Sequence, residues 1–329
     1  MTGFLCFVSG DNSPDSSRPV SGRRFQYENS PFTSSFRADE SVSTGRNFIG
    51  PFQLIRMIRS GNSTTVWEAR HQHDKKRVAL KILVSKHMKS KRHIDELKHE
   101  AAVGQVMDDE NVIKIFSYHG DLGSPMISME LFNARNLKVT LREHHDFVGE
   151  HVRTIMRNCG LGLQHMHDKG WLHCDIKPDN FLCDIECNIK LIDFSIAEKA
   201  KKGFKFGFGS KAIRGTRSYM SPEQIRRKTL TIASDIYGLG CMFYEFCSGR
   251  PPFTAPSSDE LLQKHLSAPV PSLEAIGGAT EPFNKLVHQM LSKKPEERPQ
   301  SVKDIVLQLE RIRVFRPGKK PKGKHAPAE

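Results

Sequence analysis

The sequence predicts an α+β fold in two lobes, an antiparallel sheet interrupted by one helix and then a mostly helical half. Three observations carry this reading. Short β-branched runs lie between residues 49 and 132, separated by turn and charged residues. A single helical stripe breaks into them. Past residue 133 the apolar residues recur at helical rather than strand spacing. The 329 residues are 37% hydrophobic, enough for a substantial buried core.

Residues 1–48 are rich in Ser, Asp, Arg, Gly, Asn and Pro and show neither a period of two nor of 3.6, so a disordered tail is expected. Strand-like runs follow at 65–69, 77–83, 112–118 and 126–131. Between them Leu97, Ala101, Gly104 and Met107 share one face of a helix. The helical half opens with the stripe Val152, Ile155, Met156, Cys159, Leu163 and Met166. It continues through 232–248 and 283–291 and closes on Val302, Ile305, Val306, Leu309 and Ile312. These elements delimit a domain at 49–312, with a sheet lobe over about 49–132, a helical lobe over about 133–312 and a basic tail at 313–329. A cleft between two such lobes is a common ligand site.

The formal charge is +13, which favours polyanionic partners. Much of the excess sits in Arg311, Arg313, Arg316, Lys319, Lys320, Lys322 and Lys324, either a solvated tail or a polyanion contact. No apolar run reaches the length of a membrane span, and the short opening at residues 4–8 lacks the length and basic flank of a signal peptide. A soluble, cytoplasmic protein is expected. The seven cysteines show no CxxC spacing, which points to reduced thiols rather than disulfides or zinc.

The strongest local signal is His173-Cys174-Asp175-Ile176-Lys177-Pro178-Asp179-Asn180, followed by Ile192-Asp193-Phe194-Ser195. Phosphoryl transfer asks a protein to position a hydroxyl, hold a metal on the phosphates and neutralise charge, and these residue types suit that work. The two segments resemble the catalytic loop and metal-binding motif of the eukaryotic-like Ser/Thr protein kinases, in a non-RD form with HCD, DFS and SPE variants. The resemblance covers residues 51–312 and implies the two-lobed protein-kinase fold with ATP and Mg²⁺ in the cleft. It implies that Asp175 orients the substrate hydroxyl, Lys177 steadies the γ-phosphate, and Asn180 and Asp193 ligate Mg²⁺.

Upstream, Val78-Ala79-Leu80-Lys81 matches the strand whose lysine contacts the α- and β-phosphates, and the spacing implies a Lys81–Glu100 ion pair. Of the glycine-rich loop only Gly61 remains, with Arg59 and Thr64 at the other glycine positions, so a loosely gripping phosphate lid is expected. By the same resemblance Val66, Ala79 and Leu182 sandwich the adenine. Met129 is the gatekeeper, and backbone groups of Glu130 and Phe132 bind the ring edge.

Gly215 to Glu223 resembles the peptide-docking segment, and Thr216 with Lys177 is the Ser/Thr-type choice, so the implied partner is a protein with a Ser or Thr acceptor. Asp235 and Arg298 resemble structural anchors, the latter pairing with Glu223. Two further departures are Ser195, in place of a hinge glycine, and Gly104, where a bulky spine residue is usual and lost packing is expected. Cys174 replaces the arginine that many kinases pair with an activation-loop phosphate. The implied function is transfer of the ATP γ-phosphoryl group to protein hydroxyls. The alternative is a pseudokinase acting as a nucleotide-binding or scaffolding module.

Overall fold

The β-branched runs of the first third pair into one antiparallel sheet. The structure is a computed structural model and describes residues 47–200 and 215–318. The expectations for the first 46 residues, for the loop cations from Lys201 to Arg214 and for the tail beyond Gly318 lie outside the described residues. The strands are β1 (Phe48–Ile49), β2 (Phe52–Ser60), β3 (Thr64–His71), β4 (Arg77–Leu83), β5 (Ile115–His119) and β6 (Met126–Glu130). They lie side by side in the order β1-β2-β3-β4-β6-β5. The sequence shows no regular strand alternation over β2 because its period is broken. The β2–β3 register slips between Leu54 and Arg56 and again between Met57 and Arg59, each slip inserting one residue and spoiling the alternation.

Between β4 and β5 runs α1 (Lys91–Gly104), which buries Leu97, Glu100, Ala101, Val103 and Gly104. Two sequence expectations are corrected here. Met107 is buried but lies beyond the end of the helix. The run at 112–118 becomes strand only from Ile115, because the residues before it are tied elsewhere: Ile113 N donates to Leu191 O (3.0 Å) and Leu191 N to Asn111 O (2.8 Å). The expected loss of packing at Gly104 is also overturned. A Cβ built there would stand 2.3 Å from Ile115 Cδ1, so the isoleucine already fills the space a larger residue would take.

The second half comprises β7 (Arg135–Asn136), α2 (Leu137–Glu143), α3 (His145–Asp168), β8 (Trp171–Leu172), β9 (Phe181–Cys183), β10 (Ile189–Leu191) and β11 (Glu198–Lys199). Helices α4 (Pro222–Ile225), α5 (Ile232–Ser248), α6 (Ser258–Ser267), α7 (Leu273–Gly277), α8 (Glu281–Met290) and α9 (Val302–Arg311) follow. Every residue of the α3 stripe is buried, and α3 packs on α5 and α9. Helix α5 is buried on nearly all sides, as its apolar sequence requires. Caps start the helices where the sequence allows. Asn136 Oδ1 accepts from Val139 N at 2.9 Å, and Ser301 Oγ accepts from Asp304 N at 3.1 Å. Among the described residues no helix is long and apolar enough to cross a membrane.

Candidate active site

The segment between β8 and β9 carries Asp175, and α5 holds it in place. Asp235, in the first turn of α5, is buried and accepts from His173 N (2.9 Å) and Cys174 N (2.8 Å), while His167 Nε2 lies 2.8 Å from the same carboxylate. Burial opposes ionisation of Asp235, but the His167 hydrogen bond and the charge of both histidines outweigh it and keep its pKa below the ordinary value. Its two backbone bonds fix Cys174 in the left-handed region at φ 68, a conformation that costs a non-glycine residue about 1 kcal/mol or more. Gly238 of α5 lets the loop come close, since a Cβ there would meet Ile176 Cβ at 3.0 Å.

Four polar groups converge on Asp175. Lys177 Nζ donates to Asp175 Oδ2 (2.6 Å) and to Thr216 Oγ1 (2.7 Å). Thr216 N and Oγ1 donate to Asp175 Oδ1 at 2.8 and 3.0 Å. Asn180 Nδ2 donates to the Asp175 carbonyl at 2.8 Å. The sequence places Thr216 some forty residues downstream as a marker of acceptor type, whereas in space it binds the candidate catalytic aspartate directly.

Facing this group, Lys81 of β4 donates to both Glu100 oxygens at 2.7 and 2.6 Å and lies 3.5 Å from Asp193 Oδ1. The Lys81–Asp193 contact joins the sheet to the helical half. Burial works against the ammonium, yet Asp193 and Glu100 overcome it and the Lys81 pKa is raised. Glu100 moves upward because burial outweighs the attraction of Lys81. Asp193 is held well below the carboxylate range, first by the Lys81 charge and then, against burial, by a hydrogen bond from Ser195.

The donor set fits a hard divalent cation. Asp193 Oδ1 is buried and accepts no hydrogen bond, and Asn180 commits its amide nitrogen to Asp175, leaving its oxygen for other work. Among the described residues no group of three or more His, Cys, Asp or Glu is arranged to hold a metal by itself.

The remaining candidates line the sheet and the strand leaving it. Val66 pairs across from Lys81, and Ala79 from Met129, so Val66, Ala79, Lys81 and Met129 stand on one face of the sheet. Leu182 lies half-buried on β9. Gly61 sits at the β2–β3 turn and donates its N–H to Thr64 O at 2.9 Å. Glu130 N donates to Lys114 O (2.9 Å), and its carboxylate meets Lys190 Nζ at 2.8 Å, while Phe132 O accepts from Ala134 N (3.0 Å).

Behind the site, Arg298 is buried and binds Glu223 through two bonds of 2.7 and 3.0 Å, with further bonds to Ala233 O and Ser292 O. A second brace was not foreseen: Glu245, buried in α5, accepts from Tyr219 (2.6 Å) and Lys138 (2.6 Å). Its members are some 26 and 107 positions apart in the chain, and no motif links them.

Comparison with known proteins agrees with this geometry. The chain is 29% identical to the serine/threonine-protein kinase PknH of Mycobacterium bovis over 271 residues, covering 82% of this chain and 45% of the relative. It is 27% identical over 272 residues to PknD of Mycobacterium tuberculosis, covering 82% and 40%, and 29% identical over 238 residues to PknA of the same species, covering 71% and 55%. The chain therefore spans about half the length of the curated relatives it matches. The protein kinase domain family matches residues 52–308, and with that span matched the chain belongs to this family.

Proposed function

We propose that the chain is a protein serine/threonine kinase that uses ATP and Mg²⁺. The observation that carries this is the hydrogen-bonded group of Asp175, Lys177, Thr216 and Asn180 set opposite the Lys81–Glu100 pair and Asp193. In the reaction the acceptor oxygen bonds to the γ-phosphorus, the bond to the β–γ bridging oxygen breaks, and Asp175 takes the hydroxyl proton. Lys177 holds the γ-phosphate and Lys81 the α- and β-phosphates. A bound Mg²⁺ supplies charge neutralisation on the phosphate oxygens, and Asn180 and Asp193 are the residues that hold it. Val66, Ala79, Leu182 and Met129 enclose the adenine, with backbone groups of Glu130 and Phe132 at its edge and Gly61 in the lid.

We take 49–312 as the kinase domain, divided near residue 132, and 1–48 and 313–329 as tails of a cytoplasmic protein. The basic tail is a polyanion contact in this reading. A chain ending at Val314 that binds heparin with unchanged salt sensitivity removes that assignment.

The decisive experiment is radiolabelled ATP with Mg²⁺, wild type beside Asp175→Ala, scored for transfer to itself and to a basic protein, followed by phosphoamino-acid analysis. Label on serine or threonine in the wild type alone supports the reading. Equal label in both proteins, or none in either, sinks it.

A further inference from the structure

The first glycine of the phosphate lid is replaced by Arg59, and the strand register decides which way that side chain faces. Lys81 defines the cleft side of the sheet, since it reaches Glu100 and Asp193. Val66 pairs directly with Lys81, and Arg59 pairs directly with Val66. Residues opposite one another in an antiparallel pair project from the same face, so Arg59, Val66 and Lys81 form one row across the cleft side. A regular alternation from Leu54 also gives Arg59 this face, since the two register slips in β2 cancel there, but it leaves Arg56 on the opposite one. Arg56 provides an internal check: it pairs with Glu68 in the next row, and its Nε donates to Glu68 Oε2 at 2.8 Å on that same face.

The two arginines differ in what they meet. Glu68 is buried between Arg56 and Arg77 and is fully engaged by them. Among the described residues no hydrogen bond or ion pair holds the Arg59 guanidinium, and the residue is exposed. Two strand spacings separate its backbone from that of Lys81, about 10 Å. The site itself is short of positive charge: the ammonium groups of Lys81 and Lys177 face the carboxylates of Glu100, Asp175 and Asp193. The protein's own groups there give an entering polyphosphate more negative charge than positive, with a lid poor in the glycines that bring backbone N–H groups close.

We propose that Arg59 is a nucleotide-binding residue that pairs its guanidinium with the phosphates of the bound nucleotide from the sheet side, replacing lost glycine-loop contacts with a charge-assisted one. This rests on the kinase reading above. It also reverses the expectation that Arg59 only hinders the lid.

The test uses the full chain, with calorimetric affinities for adenosine and ADP in wild type, Arg59→Gly and Arg59→Lys, and the ATP KM of each. Arg59→Gly is expected to weaken ADP by about tenfold, the scale of one charged hydrogen bond, and to leave adenosine within about twofold. Arg59→Lys keeps part of the ADP affinity because the charge survives without the planar fork. ADP binding by Arg59→Gly as tight as wild type, or tighter, overturns the proposal while transfer activity in the wild type leaves the kinase reading standing. An equal loss for adenosine and ADP also overturns it, since the residue then supports the loop and not the phosphates. A wild type that binds neither ligand defeats the kinase reading and the proposal together.

Discussion

On the helical side of the cleft, Asp175 is held by Lys177, Thr216 and a loop whose backbone is tied to buried Asp235. On the sheet side, the cleft-facing residues are ordered by cross-strand register, and Lys81 depends on one glutamate from α1. The helical wall keeps nearly every family residue and closes its hydrogen bonds within itself. The sheet wall has lost two glycines and carries an arginine instead, one with no partner among the described residues. Function-bearing residues fixed by dense local networks leave little room for substitution, whereas a strand edge open to solvent accepts a different side chain wherever its chemistry still serves the ligand.

The largest effect expected from breaking either wall is on activity. Lys81→Met or Asp193→Ala should lower phosphoryl transfer by about 10²–10³-fold or more while the unfolding transition stays close to wild type, because each acts on phosphate or metal and not on the core. Initial rates with circular dichroism melts check this, and a variant that keeps comparable activity would remove Lys81 or Asp193 from the site.

Stability separates the walls next. Arg298→Ala strands buried Glu223 without its partner, and the expected loss is about 3–5 kcal/mol in urea unfolding. Burial raises the Glu223 pKa, and Arg298 first, with Ser234 behind it, brings it below the ordinary value, so the variant should hold its proton to a higher pH than wild type. A loss under about 1 kcal/mol would mean that the docking segment is anchored elsewhere, with Glu245 the first place to look.

A pH series sharpens the picture of the helical half. His265 lies against Phe253 and Tyr237, and burial, then the Lys293 charge, push its pKa from 6.5 down to about 4. The unfolded chain therefore takes up a proton before the folded one as pH falls. Stability present at pH 7 is lost between about 6.5 and 4, by up to about 3 kcal/mol. His265→Gln should flatten that part of the stability–pH curve, and an unchanged slope assigns the acid sensitivity to other groups.

The smallest effect tests the sheet side. Gly104→Ala should destabilise by about 1–3 kcal/mol through collision with Ile115, against the helix-propensity gain alanine normally brings, and Ile115→Val should relieve part of it. A more stable Gly104→Ala variant would show that the isoleucine moves aside freely.

Motif residues were legible because their chemistry constrains residue type and spacing within one loop, as from His173 to Asn180 and from Ile192 to Ser195. The α3 and α9 stripes were legible because a helix face repeats within a few residues, whatever it packs on. Less could be read where an element's role depends on a partner distant in the chain. The residues at 112–114 look like strand by composition, yet Val112 N is taken by Asp109 O and Ile113 N by Leu191 O, the latter a contact that holds the two halves of the domain together.

By itself the sequence determined the order of sheet and helices, the catalytic-loop chemistry and the Lys81–Glu100 spacing, since all of these follow from local periodicity or short-range residue type. Tertiary structure alone decided that Ile115 fills the space beside Gly104, that Thr216 binds Asp175, and that Arg56 turns to the same cleft face as Arg59 and Lys81. The physical reason is the same in each case. A side chain's face in a sheet and the volume left beside a helix are set by pairing and packing with residues far along the chain, and one inserted residue in a strand reverses the outcome without changing composition or hydrophobicity.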